Sequence, residues 1–344
     1  MPGIIASAPV RVCDLGGWTD TWFGGPGRLV NIAVRPGVDV RTDIIEGPGV
    51  VTLDVPDFGD LYEMHLGSPP PGLHPILEAA VNQVRPPSGF DARIRVTSAH
   101  PPGCGTGTSA AVAVALLGAL HRLRGDVISA DRIVTEAHRL ETAVLGRQSG
   151  VQDHVAAAYG GVNFIEIDAY PEAVVTPLSS WPELEAGLSL VYLGQPHDSS
   201  DVHRQVILGT GTERQAALEG LREAALAGRR AIDAQDLMAL GQAAIANTVA
   251  QAALHPSLVG SAARQVIEAA SGAGAVGWKV NGAGGDGGSV TILTADGSTR
   301  PAVLAAVDRP DAGFRVLPIL LSPDGLTLGP APADATMSGR EGAK

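Results

Sequence analysis

The chain has 344 residues and a formal net charge of -12, with 45% hydrophobic and 4% aromatic residues. That length suggests two domains and a mainly aliphatic core. The acidic balance argues against a nucleic-acid groove or an anionic membrane surface, while leaving small anions open to capture by backbone amides. Cys13 and Cys104 are too few and too far apart in sequence to suggest a disulfide framework or a zinc site. No signal peptide is evident and no run of 18 apolar residues occurs, so the expected location is the cytoplasm.

Strand-like alternation marks residues 29–34, 38–45 and 50–55, separated by Gly/Pro turns. Residues 67–72 (GSPPPG) read as a loop, 75–84 as a short helix and 92–98 as a strand. The strand leads into Pro102-Gly103-Cys104-Gly105-Thr106-Gly107-Thr108-Ser109, and an Ala/Val/Leu-rich helix follows over 110–123. Asp131 is placed as the N-cap of the next helix, with Ile133, Ala137, Leu140 and Val144 on one face and Gly146 closing it. A short helix at 151–159 stops at Gly160-Gly161, and a strand covers 162–167. A domain boundary is expected within 179–187. Beyond it come a strand at 188–193, helices over 212–252 and 257–271, and strands at 276–280, 289–293 and 314–321. This order implies an α+β architecture with antiparallel sheet, divided into 1–185 and 186–329, with a disordered tail at 330–344.

The glycine loop carries most of the chemistry. Alternating glycines that open a helix aim several N–H groups at one point, where the helix dipole adds positive potential; this geometry binds phosphate. A flexible loop before a core helix is the plainer alternative. The loop lacks the lysine of a Walker P-loop, so a metal ion is the natural replacement for its charge, and the Ser109 hydroxyl is suited to Mg²⁺. Glu141 lies at the edge of an apolar stripe, either snorkelling or turned into a site. Asp153, in the first turn of its helix, is either a cap or a base for phosphoryl transfer. The segment from Ala8 to Thr21 joins Arg11, a Gly16-Gly17 turn, Trp18 and Asp20; Trp and Asp suit a sugar ring and its hydroxyls, or else core and turn. The string Gly282-Ala283-Gly284-Gly285-Asp286-Gly287 mimics a dinucleotide fingerprint, but a strand follows instead of a helix. It reads as a turn whose glycines allow close approach to another loop or a ligand.

Taken in order, APVRVCDLGGWTDT, PPGCGTGTSAA, GVQDHVAAAYGG and KVNGAGGDGG resemble the motifs of the GHMP kinases, over residues 8–289. The Gly-Gly-Trp-Thr-Asp string and the Glu…Gly-x-Gln-Asp arrangement look closest to the fucokinase and heptose-7-phosphate kinase branch. Galactokinases carry Gly-Glu-His where Gly17-Trp18 stands. The resemblance implies a ribosomal-protein-like N-terminal domain, a ferredoxin-like C-terminal domain, ATP and Mg²⁺ as cofactors, and phosphorylation of the anomeric hydroxyl of a free sugar. By position it implies Asp153 as base and Arg11 beside the transferring phosphate. It also implies Ser109 and Glu141 on Mg²⁺, Pro102 to Ser109 on the nucleotide, and Gly17, Trp18 and Asp20 on the sugar. Gly282, Gly284 and Gly285 would pack against the phosphate loop, with Asp286 a departure from the motif. A heptose 7-phosphate acceptor would need a basic pocket, for which Arg28, Arg147, His197 and Arg204 are candidates. A non-catalytic sugar and nucleotide sensor is the remaining alternative. A small-molecule substrate and a monomer or homodimer are expected.

Overall fold

The computed structural model describes residues 3–195, 206–207 and 211–331. The chain begins with two long antiparallel strands, β1 (Ile4–Leu15) and β2 (Gly27–Glu46). β2 spans the two stretches read as separate strands. Its N-terminal half pairs with β6 (Val162–Ala169) and its C-terminal half with β5 (Phe90–Ser98), so one strand joins both halves of the sheet. β3 (Val50–Val55) lies parallel to β5, β4 (Asp60–His65) forms the edge, and β7 (Glu172–Leu178) pairs with β6.

Helix α1 (Pro75–Gln83) and the central helix α2 (Thr108–Leu123) cover this sheet, with α3 (Ala130–Arg139) and α4 (Gln152–Tyr159) beside them. α2 is apolar nearly all round and buried along almost its whole length, as expected of a core helix. α3 starts at Ala130, capped by the Ser129 hydroxyl, which accepts from the Arg132 N–H; Asp131 is therefore in the first turn and is not the cap. The helix also does not run on regularly to Gly146. A π turn spans Leu140–Val144. Its extra residue per turn breaks the i, i+4 series, so Val144 rotates out to 58% exposure while Glu141 is buried at 4%.

After α5 (Pro182–Gly187), a second antiparallel sheet forms from β8 (Leu188–Tyr192), β9 (Gly277–Val280), β10 (Ser289–Leu293) and β11 (Arg315–Leu317), in the order β11-β8-β10-β9. The stretch read as helical over 212–252 is two helices, α6 (Thr212–Asp233) and α7 (Leu237–Leu254). They break at Gln235, in the left-handed region, before the Asp236 cap. α8 (Ser261–Gly272) and α9 (Arg300–Val307) complete this layer. α7 is long and apolar enough to cross a membrane by length and composition. Here it packs against the broader core through Leu237, Leu240, Ala243 and Ala244.

The strand expected over 314–321 is split by Pro318, which has no N–H for a ladder. β11 stays in the second sheet, whereas β12 (Leu320–Leu321) pairs with β2, and β13 (Thr327–Pro330) pairs with β1. Residues 320–330 thus belong to the first sheet and not to a unit spanning 186–329. The tail from 332 lies outside the described residues.

Candidate active site

The glycine loop is pinned between β1 and the β9–β10 turn. Gly103, Gly105 and Gly107 all have positive φ, between 70° and 75°. This alternation of left-handed residues turns successive N–H groups to one side at the N-terminus of α2. Gly107 has a second constraint: a Cβ there would stand 3.0 Å from the Asp153 Cγ. The base candidate therefore lies directly against the loop. Gly103, Cys104, Gly105, Gly107, Thr108 and Ser109 line a cavity of about 660 Å³. Pro102 and Thr106 do not line it; Thr106 is fully buried, and its carbonyl accepts from the Arg11 N–H at 2.9 Å.

Arg11, on β1, lines the same cavity. Its Nε donates to Asp153 Oδ1 at 2.8 Å and its Nη2 to Asp153 Oδ2 at 3.2 Å, a bidentate pair. Nη1 donates to the Gly105 carbonyl and lies 3.8 Å from Asp14 Oδ1. Burial disfavours the guanidinium charge, but Asp14 and Asp153 raise its pKa above the ordinary arginine value. Arg11 thus joins the first motif, the phosphate loop and Asp153.

Glu141 and Ser109 meet at the other side of the cavity. The Ser109 hydroxyl donates to Glu141 Oε1 at 2.5 Å, and His154 Nε2 lies 3.3 Å from Oε2. Burial alone would raise the Glu141 carboxyl; the His154 imidazole beside it, with the Ser109 hydroxyl, brings it down to about 2. Burial likewise opposes charge on His154, and Glu141 outweighs it, raising the imidazole above its ordinary value. An ionised carboxylate and a hydroxyl facing the phosphate loop are hard oxygen donors that fit a magnesium ion. Among the described residues no group of three or more His, Cys, Asp or Glu could hold a metal unaided. Such an ion would therefore rely on phosphate oxygens and water for its remaining ligands.

Gly17, Trp18 and Asp20 also line the cavity. Trp18 forms its wall: the residue is 5% exposed, has φ 78°, and packs with Phe23, Leu218, Leu221 and Leu258. It offers no open ring face of the kind expected for stacking. The Asp20 carboxylate is buried, accepts from the Gln152 N–H at 3.2 Å, and is pushed up to about 6 by burial and the nearby Asp153 and Asp14 charges.

The third glycine motif does two jobs. Gly282 packs on the phosphate loop, where a Cβ would come 2.9 Å from the Gly105 carbonyl, and the Gly288 Cβ position faces Cys104. Gly284 and Gly285 close against Leu258: a Cβ at Gly284 would meet the Leu258 carbonyl, which accepts from the Gly285 N–H at 3.0 Å. Asp286 is exposed and does not line the cavity. Arg28 is tied to Glu166 and Asp168 outside the cavity, whereas Arg147 lines it. His197 and Arg204 lie outside the described residues.

Sequence reasoning missed a buried charge network behind the site. Lys279 Nζ donates to Gln251 Oε1 at 3.2 Å and to the Val280 carbonyl, and lies 3.5 Å from Asp14 Oδ1. Asp14 also accepts from the Gly282 N–H at 3.2 Å. Burial pulls the Lys279 ammonium below its ordinary pKa, against the attraction of Asp14. The available signal was a charged residue inside an apolar strand run, Val12-Cys13-Asp14-Leu15 and Trp278-Lys279-Val280. The opposing motifs are locked together through these two charges.

The family model described as the GHMP kinases N-terminal domain matches residues 75–161. The mevalonate kinase of Pyrococcus furiosus is 31% identical over 175 residues, covering 47% of this chain and 52% of that protein. The D-glycero-alpha-D-manno-heptose 7-phosphate kinase of Campylobacter jejuni is 25% identical over 259 residues, covering 70% and 75%. A crystal structure of a D-glycero-D-manno-heptose 1-phosphate kinase from Bacteriodes thetaiotaomicron superposes with TM-score 0.75 at 20% identity, covering 96% of this chain and 100% of that one. The chain spans about half the length of the curated mevalonate kinases it matches first. Its matched segment holds the phosphate loop, Glu141 and Asp153, the residues that meet at the cavity. Residues 75–161 thus match a GHMP kinase N-terminal domain, and the chain has the α+β fold of the heptose kinase structure it superposes on.

Proposed function

We propose that this chain is an ATP-dependent kinase of a small polyhydroxy alcohol, phosphorylating the anomeric hydroxyl of a free sugar with Asp153 as base. The observation that carries this reading is the Arg11–Asp153 pair set against the phosphate loop in one cavity. The loop amides and the α2 N-terminus hold the nucleotide phosphates. Ser109 and Glu141 would hold Mg²⁺, which when bound neutralises charge on the transferring phosphate. Asp153 orients the acceptor hydroxyl and takes its proton as the new O–P bond forms and the bond to ADP breaks. Arg11 fixes the Asp153 carboxylate and lies beside the developing charge. Most of the acceleration comes from positioning and electrostatics.

A neutral acceptor suits the charges of the cavity. Asp20, Glu141 and Asp153 line it, Arg11 is engaged by Asp153, and Arg147 is the remaining arginine among the described lining residues. On this reading Asp20, which lines the cavity, accepts from sugar hydroxyls. A phosphorylated heptose is the second reading; it rests on Arg147 and on the likeness to the heptose 7-phosphate kinase. An ATP-consumption screen across free hexoses, 6-deoxyhexoses, pentoses, uronic acids and heptose phosphates, with NMR of the product, separates the two. With the best acceptor, Asp153→Asn is expected to keep nucleotide affinity within a few fold and lose about 10²–10⁴ in kcat. Turnover within a few fold of the wild type removes Asp153 from the role of base, and no ATP turnover with any acceptor favours a sensor.

A further inference from the structure

His154 neighbours Asp153 on α4, yet its side chain takes no part in the cavity wall. The residue is completely buried. Its Nε2 stands 3.3 Å from Glu141 Oε2, while the other carboxylate oxygen accepts from Ser109. Oε1 is therefore held by a hydrogen bond, and Oε2 faces the imidazole at ion-pair distance. The imidazole is itself backed by His138, whose ring meets it edge-on at 5.4 Å between centroids. His138 Nε2 lies 3.0 Å from the Tyr170 hydroxyl and 3.3 Å from the Ser149 carbonyl, and Tyr170 also donates to that carbonyl at 3.0 Å. The imidazole thus sits between the Glu141 carboxylate and a ring that is itself anchored by Tyr170 and Ser149.

This backing matters because Glu141 stands on a π turn. The irregular turn carries the carboxylate inward without α-helical neighbours at regular spacing to define its rotamer. A well-packed apolar residue would fill the place of His154 with less desolvation, so core filling does not account for an imidazole there. We propose that His154 is a positioning residue, one that holds the Glu141 carboxylate beside Ser109 in the orientation required to bind a divalent cation. The proposal rests on the reading of Ser109 and Glu141 as the ligands of that cation. Partners of this kind, one step behind a metal ligand, change metal affinity about 10- to 100-fold when removed.

The test measures Mn²⁺ binding to the full chain with a non-hydrolysable ATP analogue, by the electron paramagnetic resonance signal of free Mn²⁺, alongside steady-state kinetics at varied Mg²⁺. His154→Leu is expected to weaken Mn²⁺ binding about 10- to 100-fold and to raise the half-saturating Mg²⁺ by a similar factor, with kcat at saturating Mg²⁺ within about threefold of the wild type. His154→Gln, whose amide nitrogen reaches the Nε2 position, is expected to recover most of the affinity. If His154→Leu does not fold, His154→Asn, too short to reach Glu141, replaces it with the same expectation. Unchanged Mn²⁺ affinity in the folded Leu or Asn variant overturns the proposal, as does a Gln variant no better than either. A loss confined to kcat also overturns it, since that points to displacement of Asp153. Glu141→Gln separates the two levels: if it binds Mn²⁺ like the wild type, the ligand reading fails and the positioning role falls with it. If it weakens binding and the His154 variants do not, only the positioning role fails.

Discussion

Gly107 and Gly125 bracket α2, and the same substitution at both separates backbone strain from damage to the site. Gly107 has φ 74° at the N-cap and Gly125 has φ 80° just past the C-terminus. An alanine forced into the left-handed region costs about 1–2 kcal/mol at either position. In a chain of this size that lowers Tm by roughly 1–3 °C. The surroundings differ. A Cβ at Gly125 meets nothing within 4 Å, whereas one at Gly107 meets Asp153 Cγ at 3.0 Å, Oδ2 at 3.1 Å and Cβ at 3.2 Å. Asp153 must then yield by a few tenths of an ångström while tethered to Arg11 at 2.8 and 3.2 Å. A misplacement of about 1 Å costs roughly 100-fold in rate, so this smaller shift is expected to lower kcat about 10-fold. Rates would be read by coupled ADP release with the best acceptor, and stability by thermal unfolding. Gly125→Ala should lose a similar few degrees and keep its kcat. Equal kcat in the two variants refutes the placement of Asp153 as the reacting base.

Two further outcomes follow from buried charges. With Asp20 at about 6 in the folded chain, against an ordinary carboxylate near 3.9, the folded state binds its proton more tightly than the unfolded state. The contribution of Asp20 to stability is therefore greatest below pH 4 and declines as pH rises through about 6. Acceptor binding runs the other way, because hydroxyl groups donate to the ionised form. The kcat/KM for the acceptor is expected to fall as pH drops below about 6, and titrations of activity and Tm in Asp20→Asn should lack both trends; an unaltered acid limb refutes the assignment. Lys279→Met leaves Asp14 with Arg11 and the Gly282 N–H but without its ammonium neighbour. Breaking a buried pair costs about 3–5 kcal/mol, and the remaining partners reduce the expected loss to about 2–4 kcal/mol by denaturant unfolding. A loss under about 0.5 kcal/mol shows that the pair does not lock the two motifs.

Some errors of reading the sequence have a common cause. Periodicity placed α3 and the stripe through Leu140, but Val144 turns out to solvent, and Glu141 into the site, because a π turn leaves no mark in an apolar pattern. The run over 314–321 looked like one strand, since alternation says nothing about which sheet a residue joins. Trp18 lines the cavity, where its motif put it, while the left-handed backbone and the packing of α6 leave it mostly buried, so the core alternative holds as well.

The sequence by itself determined which chemical groups are at hand. Glycines at every second position, a hydroxyl at the start of a helix and an aspartate at the start of another are local features, governed by backbone sterics and helix ends over a few residues. The tertiary structure alone decided what these features face. Arg11 and Asp153 are 142 residues apart and become a bidentate pair; Asp14 and Lys279 are 265 apart and become a buried neighbouring charge pair. Such contacts arise when two sheets, each with its own helices and core, pack together. Their energy depends on distance and desolvation, which local sequence patterns do not record.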